Sequence, residues 1–307
     1  MAILYDRVAL IGLGLIGSSI ALALRKNPVC GSVTGFAATP GTRETARELD
    51  FCDHVAETVN EAVEDADLVV LCTPVGVMGA LTREMAPVLK PGATLSEVGS
   101  VKVAVIREVA PHVPDGVTFI PAHPIAGTEL SGPRAGFAEL FEDRWCLFTP
   151  LEGTCEQAVE KLRQFWLGLG ARVDTMEPAR HDLVLAVTSH VPHLIAYTMV
   201  GVADDLRRVS NTEVVEYSAA GFRDFTRIAA SDPTMWRDVF VNNSEATLEI
   251  LGRFTEELFD LQRAIRLGDG DQLHRYFTRT RAIRRGIIEA GQDTGLPDFG
   301  RKQSSEG

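Results

Sequence analysis

The feature that most constrains this chain is a glycine-spaced turn, Gly12-Leu13-Gly14-Leu15-Ile16-Gly17, lying between the apolar run Val8-Ala9-Leu10-Ile11 and an alanine-rich helical stretch. A bare G-x-G-x-x-G spacing arises often by chance, but between a strand and a helix it describes one geometry. Gly12 permits the tight turn, Gly14 lets the backbone approach a pyrophosphate, and Gly17 lets helix and strand pack closely. The first helical amides, around Leu15 and Ile16, then point at the phosphates. A chain that opens this way is expected to build a dinucleotide-binding βαβ unit.

The pattern continues in kind. Short β-branched runs at 8–11, 33–36, 68–72, 94–98 and 118–121 alternate with helical segments at 16–25, 43–49, 76–89 and 103–110. Two further runs, near 146–149 and 172–175, flank a helical segment at 156–169. Alternation of this sort predicts an α/β doubly wound parallel sheet with an edge extension, a Rossmann domain over residues 1–175. Beyond Thr175 strand signals stop and helical patterns take over at 178–206, 211–220, 233–267 and 271–290. An all-α domain is therefore expected over 176–300, followed by a polar tail at 301–307. The helix at 178–206 is apolar around most of its circumference, which predicts burial on nearly all sides. That points to an intertwined dimer core, with a monomeric bundle as the alternative.

Charge narrows the partners. With 30 basic against 42 acidic groups and a net charge of -12, the chain is poorly suited to nucleic acid or an anionic membrane. Any phosphate or carboxylate must instead meet local positive charge at helix N-termini or single arginines. Five scattered cysteines, none in a C-x-x-C pair, read as reduced thiols of a cytoplasmic protein. The early start of the first strand leaves no room for a signal peptide, and no uninterrupted apolar stretch suggests a membrane span.

The second strand ends in Gly35-Phe36 and runs into Ala37-Ala38-Thr39 without an acid, followed by Thr42 and Arg43 at a helix start. An acid there would select NAD through the ribose 2′-hydroxyl. Its absence, with Thr39 and Arg43 nearby, leans the reading to NADP and leaves NAD open. Thr73 and Pro74, at the end of the apolar run 68–72, are expected to line the cofactor.

Two later loops carry chemistry. One is Ser96-Glu97-Val98-Gly99-Ser100-Val101-Lys102, the other Ala122-His123-Pro124-Ile125-Ala126-Gly127-Thr128-Glu129. A histidine leaving a buried strand beside a nicotinamide can manage a hydroxyl proton while hydride departs from the same carbon. In the helical half, spacing puts Asp182, Ala186, Ser189 and His193 on one stripe. His190 and His193 lack a third ligand at metal spacing, so no metal is expected. Arg223 and Arg227 share a loop, where an arginine would match a carboxylate bidentately.

Taken together, GLGLIGSS at 12–19, EVGSVK at 97–102, HPIAGTE at 123–129, SHVPH at 189–193 and FTRIAASDP at 225–233 make the chain resemble the prephenate/arogenate (cyclohexadienyl) dehydrogenases of tyrosine biosynthesis. The resemblance spans nearly the whole chain. It implies a Rossmann domain with a helical dimerisation domain, a homodimer, and NAD(P)-dependent oxidative decarboxylation of prephenate or arogenate to 4-hydroxyphenylpyruvate or tyrosine. It implies His123 as the group accepting the hydrogen bond of the substrate's ring hydroxyl, with Ser100 beside that hydroxyl and the nicotinamide. Arg227 would bind a substrate carboxylate, and Ser189, His193, Thr128 and Glu129 would complete the pocket, supported by Asp224 and Trp236. One departure is Glu97, where the family usually has Asp. Two rival readings are a β-hydroxyacid dehydrogenase or imine reductase, and a non-catalytic cofactor sensor. The hydroxyacid enzymes use a lysine on the long interdomain helix, whereas no lysine occurs here between Lys161 and Lys302. A sensor would have no use for His123 together with Arg227.

Overall fold

The runs at the centre of the sheet, at 8–11, 68–71 and 94–97, are buried on both faces and must be covered on both. The computed structural model describes residues 3–210 and 219–289. Its strands are β1 (Tyr5–Ile11), β2 (Cys30–Phe36), β3 (His54–Val55), β4 (Leu68–Leu71), β5 (Thr94–Glu97), β6 (Thr118–Pro124), β7 (Trp145–Phe148) and β8 (Arg172–Thr175). They lie in the order β3-β2-β1-β4-β5-β6-β7-β8, parallel except where β7 runs antiparallel to β6. The helices of this half are α1 (Leu15–Lys26), α2 (Pro40–Leu49), α3 (Val59–Val63), α4 (Val75–Met85), α5 (Val103–Val109) and α6 (Glu156–Gly168). Alternate side chains divide between two buried clusters: Val8, Leu10, Leu68 and Val70 in one, Ala9, Ile11, Val69 and Leu71 in the other. The order reverses between β1 and β4, so a crevice opens there at the carboxyl edge of the sheet.

Two short elements of the sheet half escaped the sequence pattern. The strand β3 is only two residues long, too short for any alternation, and pairs with β2 at Thr34↔His54 and Gly35↔Val55. The single-turn helix α3 is set by Thr58, whose side chain accepts from Glu61 N at its start. A third difference matters for chemistry. The strand β6 continues to Pro124, past the expected end at 121, because β7 pairs antiparallel with Ala122, His123 and Pro124. His123 is therefore a strand residue, not a loop residue.

The helical part begins with α7 (Pro178–Leu185), one π-helical turn (Ala186–His190) and α8 (Val191–Ser210). It continues with α9 (Ala220–Thr226), a 3-10 turn (Arg227–Ala230), α10 (Pro233–Asn242), α11 (Ser244–Leu267) and α12 (Gly270–Glu289), so Arg223 and Arg227 stand on helical turns and not in the expected loop, and the helix expected at 233–267 is broken at Asn243. Asp232 starts α10 by accepting from Met235 N at 2.9 Å, with Pro233 pre-set for the first turn. The expected single helix over 178–206 is thus interrupted, and a π turn is a feature frequent at functional sites. The expectation that it is buried nearly all round is corrected: His181, Asp182, Leu185, Ala186 and His190 are buried, but Leu183, Val184, Val187, Met199, Val200 and Val202 are exposed in the single chain. By length and composition alone the segment Pro178–Leu206 could also cross a membrane, contrary to the sequence expectation, although its buried His181 and Asp182 are tied into the sheet half.

Two compact units emerge, Met1–Leu248 and Glu249–Gly307. The first contains the sheet together with α7 to α10, and Trp236 and Val239 of α10 join the buried cluster on one sheet face. In the second, Leu258, Phe259 and Ile265 of α11 and Phe277, Ile283 and Ile287 of α12 are exposed. Most of the helix expected at 211–220, and all of the tail at 301–307, lie outside the described residues.

Candidate active site

The glycine turn has the close contacts its spacing demands. Gly12 sits at φ 108°, where a Cβ would lie 2.5 Å from the Cys72 carbonyl oxygen; at Gly17 a Cβ would lie 2.0 Å from the Gly12 oxygen. A Cβ on Gly14 would meet nothing in the protein. That position is open for a ligand rather than for packing. Gly14 also starts α1 without any side-chain cap, so the first-turn amides of Leu15 and Ile16 face the same opening. Across the crevice, Thr73 follows β4 with its Oγ1 buried and without a partner, and Pro74 starts α4. An uncapped helix, an open glycine and an orphaned hydroxyl at one sheet edge fit a bound dinucleotide.

At the adjoining strand end the sequence prediction is refined. Thr39 caps α2 by accepting from Thr42 N, and Arg43 donates from Nη1 to the carbonyls of Ala37 (2.8 Å) and Ala38 (3.2 Å). Arg43 is not a free cation, because its Nε and Nη2 also meet Glu57 at 3.1 and 3.0 Å. Sequence reasoning missed Glu57, which follows the two-residue strand β3.

The loop after β5 is held by a buried ion pair. Glu97 and Lys102 are fully buried and pair directly. Glu97 also accepts from Gly99 N (2.6 Å) and Ala122 N (3.2 Å), while Lys102 Nζ donates to Ala122 O at 2.6 Å. Burial pushes Glu97 up and Lys102 down in pKa, and their mutual attraction opposes both shifts. The extra methylene of Glu97 thus finds a defined place, reaching the residue just before His123. Ser100 stands partly exposed on this loop, which leaves the sheet on the strand next to that of His123.

His123 itself is buried, and its partner decides its chemistry. Asp182 accepts from Lys102 N (2.7 Å), Val103 N (2.9 Å) and His181 Nδ1 (2.8 Å). His181 therefore carries its proton on Nδ1 and offers the lone pair of Nε2. That nitrogen lies 2.9 Å from His123 Nδ1. His123 must then donate from Nδ1, which leaves its Nε2 as an unprotonated acceptor. Burial, reinforced by the charges of His181 and Lys102, holds the pKa of His123 well below the usual histidine range. A neutral base with a defined tautomer is the result.

The other predicted residues make contacts of their own. His193 donates from Nδ1 to Ser189 O at 2.8 Å and stacks on Trp236 with ring centres 3.8 Å apart. Burial lowers its pKa, and the charge of Arg227 adds to the effect. Arg227 Nη1 in turn donates to Glu129 Oε2 at 2.7 Å. Thr128 is exposed, its Oγ1 accepting from Leu130 N, and Asp224 is exposed in α9 just before Arg227. His190, considered with His193 as a metal ligand, is committed elsewhere: Asn243 Nδ2 donates to its Nδ1 at 3.0 Å and to Asp182 O at 2.9 Å. Burial brings its pKa down to about 4. Contacts thus lead from His123 through His181, Asp182, Asn243, His190 and Trp236 to His193, which feels the charge of Arg227, and Glu129 on Arg227 stands six residues beyond His123 in the loop that follows β6.

Comparison with known proteins gives the family. The model for the nucleotide-binding domain of prephenate dehydrogenase matches residues 20–175, and that for the dimerization domain of prephenate dehydrogenase matches residues 177–279. The chain belongs to the prephenate dehydrogenase family. A cyclohexadienyl dehydrogenase of Zymomonas mobilis is 41% identical over 280 residues, covering 91% of this chain and 95% of that protein. The prephenate dehydrogenase of Bacillus subtilis is 33% identical over 92% of this chain and 76% of its own length. Among solved structures, prephenate dehydrogenase of Aquifex aeolicus in complex with hydroxyphenyl propionate and NAD+ superposes with a TM-score of 0.85 at 29% identity, covering 92% of this chain and 98% of that one.

Membership in this dehydrogenase family sets aside the hydroxyacid, imine-reductase and sensor readings. It does not itself supply the contacts that sequence reasoning overlooked. The stripe containing Asp182 pointed toward the site, but His181, which does the contacting, lay one residue off it. Nothing in the pattern paired Lys102 with Glu97, or Asn243 with His190.

Proposed function

We propose that the protein catalyses the NAD(P)-dependent oxidative decarboxylation of prephenate, arogenate or both, yielding 4-hydroxyphenylpyruvate or tyrosine. The observation that carries this reading is the tautomer of His123: a buried neutral imidazole whose Nδ1 is occupied and whose Nε2 is free to accept. Bound NAD or NADP would take hydride from ring C4 of the substrate. As positive character develops at that carbon, His123 Nε2 draws on the proton of the C4 hydroxyl, and the His181 acceptor stabilises the charge that the ring acquires. Loss of the ring carboxylate as carbon dioxide feeds its electron pair into the ring, and His123 returns the proton to what has become a phenolic oxygen. The protein therefore contributes positioning and one recycled base, an effect of roughly a hundred- to ten-thousand-fold for the base alone.

Arg227 is our candidate for a substrate carboxylate, which would replace Glu129 on its guanidinium. Ser100 adjoins the reacting hydroxyl, and Ser189, His193 and Thr128 border the remainder of the substrate. Arg43 in place of an acid favours acceptance of NADP beside NAD. The apolar side chains of Val184, Val187, Val200 and Val202, exposed in the single chain, support a homodimer. Light scattering of the wild type checks this, and a monomer at micromolar concentration would refute it.

The function is tested by a two-by-two comparison of rates, each substrate with each cofactor, followed through the near-ultraviolet absorbance of the reduced nicotinamide. Reduction with at least one combination, lost in His123→Asn with substrate binding retained, is expected. No reduction in any of the four would overturn the assignment.

A further inference from the structure

The ribose edge of the dinucleotide crevice contains a charged group that the reaction does not use. Glu57 is shared between two guanidiniums: it meets Arg43 Nε and Nη2 at 3.1 and 3.0 Å, and it pairs with Arg47 as well. Arg43 is otherwise well placed to meet a 2′-phosphate. Its Nη1 grips Ala37 O and Ala38 O immediately beyond β2, its guanidinium lies 5.9 Å over the Phe36 ring, and Gly12 N donates to Phe36 O, joining this strand end to the glycine turn. Its side chain is only 12% exposed, so it is oriented rather than waving in solvent. In a Rossmann crevice the adenosine ribose sits at the end of the second strand, where an acid or a base decides between NAD and NADP. Here the base is on α2 and its acid comes from a different part of the chain.

We propose that Glu57 is a positioning residue that sets the balance between NAD and NADP by tethering and partly neutralising Arg43. The inference rests on the dinucleotide reading of the crevice. With Glu57 in place, the trio of Arg43, Arg47 and Glu57 carries one net positive charge, modest attraction for a 2′-phosphate of nearly two negative charges. Removing the carboxylate releases Nε and Nη2 of Arg43, still oriented by Ala37 O and Ala38 O, to donate to that phosphate, adds the uncompensated charge of Arg47, which stays on Val55 O, and leaves the unphosphorylated ribose of NAD largely indifferent. Glu57 is thus an acid that resists NADP from the second coordination of the arginine instead of from the ribose itself.

The test is calorimetric binding of NAD, NADP and adenosine 2′-monophosphate to the full chain and to Glu57→Gln, Glu57→Asp, Arg43→Gln and the Glu57→Gln/Arg43→Gln double variant. The Glu57 side chain is 61% exposed, so its replacement leaves both buried clusters intact. Expected for Glu57→Gln is NADP and adenosine 2′-monophosphate binding about three- to tenfold tighter, with NAD unchanged. Glu57→Asp, which keeps the charge, stays near the wild-type ratio, and the gain from Glu57→Gln disappears in the Arg43→Gln background. An unchanged NADP-to-NAD ratio in Glu57→Gln, or an equal gain without Arg43, overturns the proposal. Wild-type protein that binds neither cofactor overturns the dinucleotide reading instead.

Discussion

His123 and His181 share one proton position: Nδ1 of the first lies 2.9 Å from Nε2 of the second, with the rings 5.1 Å apart and inclined at 61°. Since His181 is itself anchored on Asp182, the direction of this hydrogen bond is determined, and so is the nitrogen that His123 presents to a substrate.

Replacing His181 by Leu removes the acceptor for the His123 Nδ1 proton and lets the imidazole adopt the other tautomer. The expected loss in kcat is roughly ten- to a hundredfold, part of the range assigned to a positioned base, with much less change in KM. His181→Gln retains a carbonyl acceptor at a similar reach and should keep most of the rate. Steady-state kinetics on the two variants decide it: equal activity in Leu and Gln would mean that His181 only packs.

The pH dependence has a sign that burial determines. His123, His181 and His190 all have pKa values lowered first by burial, with His190 down to about 4. Neutral His123 is the active form, so the rate should hold steady across neutral pH and decline only on the acid side, below the ordinary histidine range. Stability goes the same way. For a histidine with a depressed folded pKa, the unfolded chain binds more protons, so its stabilising share is complete above the unfolded value near 6.5 and declines as pH falls toward the folded value. Thermal melts from neutral pH to about pH 4 should show a falling Tm. A rate that titrates at or above the ordinary histidine pKa contradicts this picture.

Arg227 and Glu129 compete with the substrate in opposite senses. Arg227→Ala should raise KM roughly ten- to a thousandfold, as expected for loss of a charge-assisted carboxylate pair, and lower kcat less. Glu129→Gln removes the internal occupant of the guanidinium. Because both side chains are about a third exposed, at 39% and 33%, solvent screening limits the gain. A KM lower by no more than about fivefold is expected. If Arg227→Ala has a normal KM, the carboxylate is held elsewhere.

Much of the architecture could be read from local pattern. The turn at Gly12, Gly14 and Gly17 works through steric exclusions between residues close in sequence, and the buried strands announce themselves by uninterrupted apolar runs. His123 and Arg227 were also recognisable, since each sits in a motif with local punctuation, Pro124 after the first and Ser231-Asp232-Pro233 beyond the second. The short elements β3 and α3 were not, because two to five residues contain no period to detect.

Short-range sterics and hydrophobic periodicity account for the glycine turn, the parallel sheet, the passage to helices after Thr175 and the family motifs. Only tertiary structure decided which nitrogen of His123 is free, why Lys102 can be buried, and that Glu57 restrains Arg43. Each depends on partners that the fold brings together: His181 lies 58 residues from His123, Ala122 lies 20 from Lys102, and Glu57 lies 14 from Arg43 across a separate strand. Hydrogen-bond direction and burial are properties of such meetings, and no local pattern encodes them.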